Sequence, residues 1–158
     1  MKRWPVWVRL PLLVSAALWL VISAWVVWDN WGRQASVPAS AATPLTGDAL
    51  LQQIERGQYL ARVGNCIACH SVRGKPLMSG ARAINTPFGT VYSSNLTPDP
   101  ETGLGRWTAQ DFWVSLQLGR TPSGHLLTPV FPYNHTRLIS RSDSDALWQW
   151  LNSLPAAR

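Results

Sequence analysis

The chain has 158 residues, ten of them tryptophan, and a formal charge of +6, which is room for one small domain plus an appendage. The charge divides evenly, +3 on residues 1–47 and +3 on residues 48–158, so half of it flanks an apolar run near the N-terminus. The remainder is too modest to point to nucleic acid, and no nucleic-acid partner is expected.

Residues 1–9 form a short basic tail with Lys2, Arg3 and Arg9. From Leu10 to Trp28 nineteen residues follow without a charge and without a polar face. A helix of about that length crosses a hydrocarbon core, so residues 10–28 are predicted to be a transmembrane anchor. The cations before the run and Asp29 after it put the N-terminus in the cytoplasm and everything beyond Asn30 outside. The predicted location is the bacterial cytoplasmic (inner) membrane, single-pass, with the C-terminal domain in the periplasm. Trp4 and Trp7 then mark the inner interface and Trp25, Trp28 and Trp31 the outer one. The competing reading is a cleaved export signal ending at Ala39-Ser40-Ala41, but the apolar run exceeds the usual h-region of about 7–15 residues. The domain is exported on either reading.

Residues 29–47, rich in Ala, Ser, Pro and Thr between Gly32 and Thr46, read as a linker, and residues 48–158 as the domain. Asp48 is a fitting N-cap for a helix through Ile54 and Leu60 that stops at Gly64. From Ser71 to Arg106 Gly and Pro recur and no apolar period survives, which predicts a loop. A loop of that length is out of place in a compact domain unless it wraps a large cofactor. A second helix is predicted over Trp107–Leu118 with Thr108 as its cap, and a last one near Ser142–Leu154 with Leu147, Trp150, Leu151 and Leu154 on one stripe. Tyr59, Trp148 and Trp150 are expected to pack the first and last of these helices together, with Gly57 permitting close approach.

The chemistry lies in Cys66-Ile67-Ala68-Cys69-His70, the C-x-x-C-H pattern of covalent haem c attachment. Two thiols one helical turn apart reach two vinyl groups, and the adjacent imidazole falls beneath the iron as the proximal ligand. A thioredoxin-like pair would follow a strand in a βαβ unit, and a zinc site would need a second pair of ligands. Neither is present, and the chain has no third cysteine. One covalent haem c on Cys66, Cys69 and His70 is therefore expected.

The segments RGQYLARVGNCIACH, TPFGTVYSSNLTPDPETGLGRWTAQDFWVSLQLG, FPYNHTRL and ALWQWLNSLP together resemble monohaem class I cytochrome c domains. The likeness is to those that serve membrane-bound alcohol, gluconate and aldehyde dehydrogenases and molybdenum hydroxylases of N-heterocycles as cytochrome subunits. It spans about Arg56 to Pro155. It implies an all-α class I cytochrome c fold of three or four short helices behind an N-terminal transmembrane anchor. It also implies an electron-transfer subunit without catalysis of its own. The donor would be a periplasmic or membrane-bound dehydrogenase or hydroxylase subunit, and the acceptor a quinone, cytochrome or oxidase of the respiratory chain.

Many such relatives offer the iron a methionine just before the Pro-Tyr pair, where this chain has Phe131. His135, two residues beyond Phe131-Pro132-Tyr133, is the favoured distal ligand, because this loop crosses the distal haem face in the family. His125 and Met78 are the other candidates, and an open sixth position stays in play. An open position would make the protein a haem peroxidase or a gas-binding sensor.

Overall fold

The computed structural model describes residues 5–35 and 45–158. Residues 36–44, the middle of the expected linker with Ala39-Ser40-Ala41, lie outside it, as do Met1 to Trp4. The chain divides into an N-terminal unit and a second unit that carries everything from Ala39 on.

The N-terminal unit is one helix, α1 (Val6–Ala35). Its stretch Trp7–Trp28 has a mean hydropathy of 2.3 and none of it is covered by protein. At ~1.5 Å per residue its 22 residues reach about 33 Å, enough for a hydrocarbon core of ~30 Å. Pro11 lies inside this helix, and Ser15 Oγ donates to the Pro11 carbonyl at 2.8 Å.

The second unit begins with α2 (Gly47–Val63), capped at Thr46 with Asp48 in its first turn rather than at its cap. Gly64 and Asn65, the latter left-handed at φ 58°, turn the chain into the short helix α3 (Cys66–His70). Next come strands β1 (Ala83–Thr86) and β2 (Gly89–Tyr92), then α4 (Ala109–Leu118), α5 (Tyr133–Thr136) and α6 (Arg141–Ser153).

The unit is mostly helical, but the all-α expectation is corrected by the antiparallel hairpin β1–β2, where a loop was predicted. Thr86 pairs with Gly89 across Pro87 and Phe88, and Thr86 Oγ1 accepts from Phe88 N–H at 3.1 Å. Gly89 at φ +127° closes the turn, and β-branched Ile84, Thr90 and Val91 favour the extended backbone on either side.

α2 and α6 pack at Gly57. A Cβ there would lie 2.0 Å from the Ala146 carbonyl oxygen and 2.8 Å from Trp150 Cβ, so only glycine permits this approach. Arg56 beside it pairs with Asp143, Nε to Oδ1 at 2.9 Å, and holds the Asp143 carboxyl below its ordinary range. Ser140 caps α6 by accepting from Asp143 N–H, and Thr108 and Asp111 form a reciprocal capping box on α4. The core joins Ala61 of α2, Met78 and Leu104 of the long connection, Phe112 and Leu116 of α4, and Leu147, Trp150 and Leu151 of α6. Trp148 tilts against Phe112 with ring centroids 5.8 Å apart. Tyr59 departs from expectation: it is 64% exposed on the outer face of α2 and packs nothing between the helices.

Candidate functional site

The core helices do not close on one another completely. A cavity of about 580 Å³ runs between α2, α3, α4, α5 and α6. Most of its wall is apolar, from Leu60, Leu96, Phe112, Leu116, Leu147 and Leu151 among others. Cys66, Cys69 and His70 line it from α3, and His135 lines it from α5. A smaller groove of about 150 Å³ adjoins it, sharing Cys69, His70 and Pro132 and walled by Ile84, Val91 and Phe131.

The left-handed Asn65 starts α3 immediately after α2, and the single turn of helix brings both thiols to one side. Neither cysteine is in a disulfide. Burial pushes the Cys66 thiol up, with its own backbone N–H opposing and the neighbouring Cys69 adding to the rise as lesser influences, so it is a thiol at neutral pH. Burial pushes the His70 imidazole down, against an opposing hydrogen bond from the backbone. That bond is Nδ1 to the Ser94 carbonyl oxygen at 2.8 Å. A carbonyl only accepts, so Nδ1 carries the proton, and the neutral ring keeps its Nε2 lone pair free for a metal.

The other candidates separate by position. His135 sits on α5, whose N-terminal turn closes through His135 N–H to the Pro132 carbonyl at 2.8 Å. Thr136 Oγ1 donates to the Leu116 carbonyl at 2.8 Å and ties α5 to α4. Met78 also lines the cavity and is buried, but its N–H bonds Ser71 Oγ at 3.0 Å and its carbonyl accepts from Leu96 N–H at 2.9 Å. Both ties hold it to the segments on either side of His70 and Ser94. His125 is exposed in the turn 121–125 with Nδ1 3.0 Å from Ser123 Oγ, and is not among the residues lining the cavity. Phe131 packs against the core and faces the smaller groove.

These residues fit a haem c. Two thiols and one imidazole with its far nitrogen already hydrogen-bonded open on an apolar chamber, and exposed His135 of α5 lies on its rim. Sequence reasoning missed the Ser94 carbonyl, because a backbone acceptor leaves no mark in side-chain identity. It also missed Leu96 and Thr136, which enter the wall through tertiary packing.

No protein-family profile matches the chain. A nicotinate dehydrogenase subunit of Pseudomonas putida is 41% identical over 120 residues, which are 76% of this chain and 10% of that protein. The gluconate 2-dehydrogenase cytochrome c subunit of Pantoea cypripedii is 40% identical over 112 residues, 71% of this chain and 25% of that one. A diheme cytochrome c-type protein of Cereibacter sphaeroides is 30% identical over 152 residues, 93% of this chain and 49% of the other. The chain thus spans between a tenth and about half the length of these relatives. Over the residues that it shares with them, the chain is a homologue of the cytochrome c subunits of dehydrogenases.

Proposed function

We propose that the protein binds one haem c on Cys66, Cys69 and His70 and transfers electrons from a dehydrogenase towards the respiratory chain. The observation that carries this is the pinned, neutral His70 beside two free thiols on the wall of an apolar cavity. The bound group would supply a one-electron iron couple. The chain's own residues do the rest. Cys66 and Cys69 would hold it as thioethers, His70 Nε2 would offer its lone pair to the iron, and the apolar walls from α2, α4 and α6 would exclude water. One C-x-x-C-H motif stands in this sequence, which supports a count of one haem on these residues.

His135 is the distal ligand in this reading. Support comes from its place on the cavity wall on an element separate from the one that carries His70. Met78 is bonded to the His70 side, and His125 is engaged in its own turn. Two imidazoles in place of imidazole and thioether lower the reduction potential. The helix α1 anchors the protein in the cytoplasmic membrane with the haem domain in the periplasm. A dehydrogenase or hydroxylase subunit is the donor, and a quinone, cytochrome or oxidase the acceptor.

The second reading, a gas-binding sensor or peroxidase with an open sixth position, is favoured by one observation: His135 is exposed on a helix of four residues. The ferrous-minus-ferric optical spectrum of the full chain, with and without carbon monoxide, decides between them. A low-spin spectrum that ignores carbon monoxide, together with a His135→Ala variant that binds it, is the expected result. Ready binding of carbon monoxide by the wild type overturns the assignment of His135 and moves the sensor reading forward.

A further inference from the structure

The Ser94 carbonyl that holds His70 is itself held from two sides. On one side lies Gly80, at φ +71°: a Cβ there would stand 2.5 Å from both the carbonyl carbon and oxygen of Ser94. Gly80 N–H in turn bonds the His70 carbonyl at 2.9 Å, so the glycine is fixed to the helix that it braces. On the other side the next residue, Asn95, is tied to the tail segment of Ala157 and Arg158. Asn95 Nδ2 donates to the Ala157 carbonyl at 2.6 Å and to Thr102 Oγ1 at 2.8 Å. Asn95 Oδ1 accepts from the Thr97 amide at 2.9 Å and from its hydroxyl at 2.8 Å. Ala157 N–H donates back to Thr97 Oγ1 at 3.2 Å. Arg158 Nε reaches Asp99 Oδ2 at 3.1 Å, and Nη2 reaches Glu101 at 2.9 Å. Thr97 is fully buried and Asp99 is 4% exposed, so these bonds are shielded from water on the loop side.

We infer that Ala157 and Arg158 act, through Asn95 and Thr97, as a latch that fixes the Ser94–Asn95 peptide against His70 Nδ1 and so sets the donor strength of the proximal ligand. Thr97 and the tail are positioning residues: they touch neither the cavity nor His70. The physical route is the hydrogen bond itself. A well-placed carbonyl draws the Nδ1 proton and makes Nε2 a better donor, which favours ferric over ferrous iron. A loosened carbonyl leaves a poorer donor and shifts the balance towards the ferrous form. The inference rests on the haem reading above.

The test uses the haem-loaded full chain in detergent, with Thr97→Val, Thr97→Ser and a chain lacking Ala157 and Arg158. Two quantities are read: exchange of the His70 Nδ1 proton with solvent in the ferrous form by NMR, and the equilibrium constant for reduction against a fixed mediator. Thr97→Val and the shortened chain are expected to exchange this proton about tenfold or more faster and to raise the reduction constant about three- to tenfold. Thr97→Ser, which restores the hydroxyl, returns both towards wild type. Lower melting temperatures with both readouts unchanged would show a tail that only stabilises the fold, and would overturn the latch. Should Thr97→Val not fold, Arg158→Gln, altered at an exposed side chain, gives the same readouts in milder form. A His70→Ala chain that keeps the wild-type spectrum overturns the haem reading and the latch together, and is thereby distinct from failure of the latch alone.

Discussion

Replacing Gly57 with alanine tests the central packing of the domain. In an exposed helix interior this change stabilises by about 0.8–1 kcal/mol, because alanine is the better helix former. Here the new Cβ would meet the Ala146 carbonyl oxygen at 2.0 Å, its carbon at 2.6 Å and Trp150 Cβ at 2.8 Å. Two of the three are backbone atoms of α6, which no change of rotamer can clear. Ordinary contact is above ~3.4 Å, so α2 and α6 must separate by more than 1 Å. Overpacking of a core costs about 1–3 kcal/mol, occasionally more, and a backbone clash belongs at the upper end. The separation also draws Ala61 away from Trp150 and Leu151, all nearly or fully buried. The net expectation is a loss of about 2–3 kcal/mol, or a melting temperature lower by roughly 10 °C for a domain of this size. Thermal unfolding of the haem-loaded protein followed by circular dichroism measures it, with Gln52→Ala on the exposed face of α2 as the control within about 0.5 kcal/mol. A Gly57→Ala protein as stable as wild type would refute the argument, because helix propensity would then outweigh the clash.

Three further outcomes follow from named contacts. Met78→Ala should lose about 2–4 kcal/mol by chemical denaturation, since a side chain only 1% exposed leaves a cavity, while the low-spin spectrum stays; loss of that spectrum would make Met78 an iron ligand. The Asp99 carboxyl is held down to about 2, chiefly by the Thr102 amide. A carboxyl depressed in the folded state contributes stability above its unfolded value and loses it as pH falls through the folded one. The advantage of wild type over Asp99→Asn in denaturant titrations should therefore shrink from about pH 4 down to pH 2, and a constant difference across that range would count against the role of the charge. Cys66→Ala and Cys69→Ala should each keep haem on a denaturing gel through the remaining thioether, whereas the double variant loses it; retention by the double variant would place the attachment elsewhere.

Much of the site was legible because its first parts are local. Cys66, Cys69 and His70 lie within one helical turn, and their chemistry follows from spacing alone. Helix ends were also local: Thr108 sits three residues from the Asp111 with which it exchanges hydrogen bonds, and Gly64 follows α2 directly. The hairpin was missed because Pro87 and Gly89 read as loop residues, although Ile84, Thr90 and Val91 around them have the β-branched character of strands. Tyr59 was misplaced because a helical stripe fixes a face only roughly, and one residue of rotation turns a core position towards water.

By itself, then, the sequence determined the apolar span at the N-terminus, the attachment motif and the capped helices, each written within a few neighbouring residues. Only the tertiary structure decided that His135 and Met78 reach the cavity while His125 does not, that Ser94 turns its carbonyl to His70, and that Ala157 closes on Asn95. Those contacts join residues 24 and 62 positions apart in the chain, and their meeting is fixed by how α2 and α6 pack at Gly57 and how the long connection folds back, not by any local propensity.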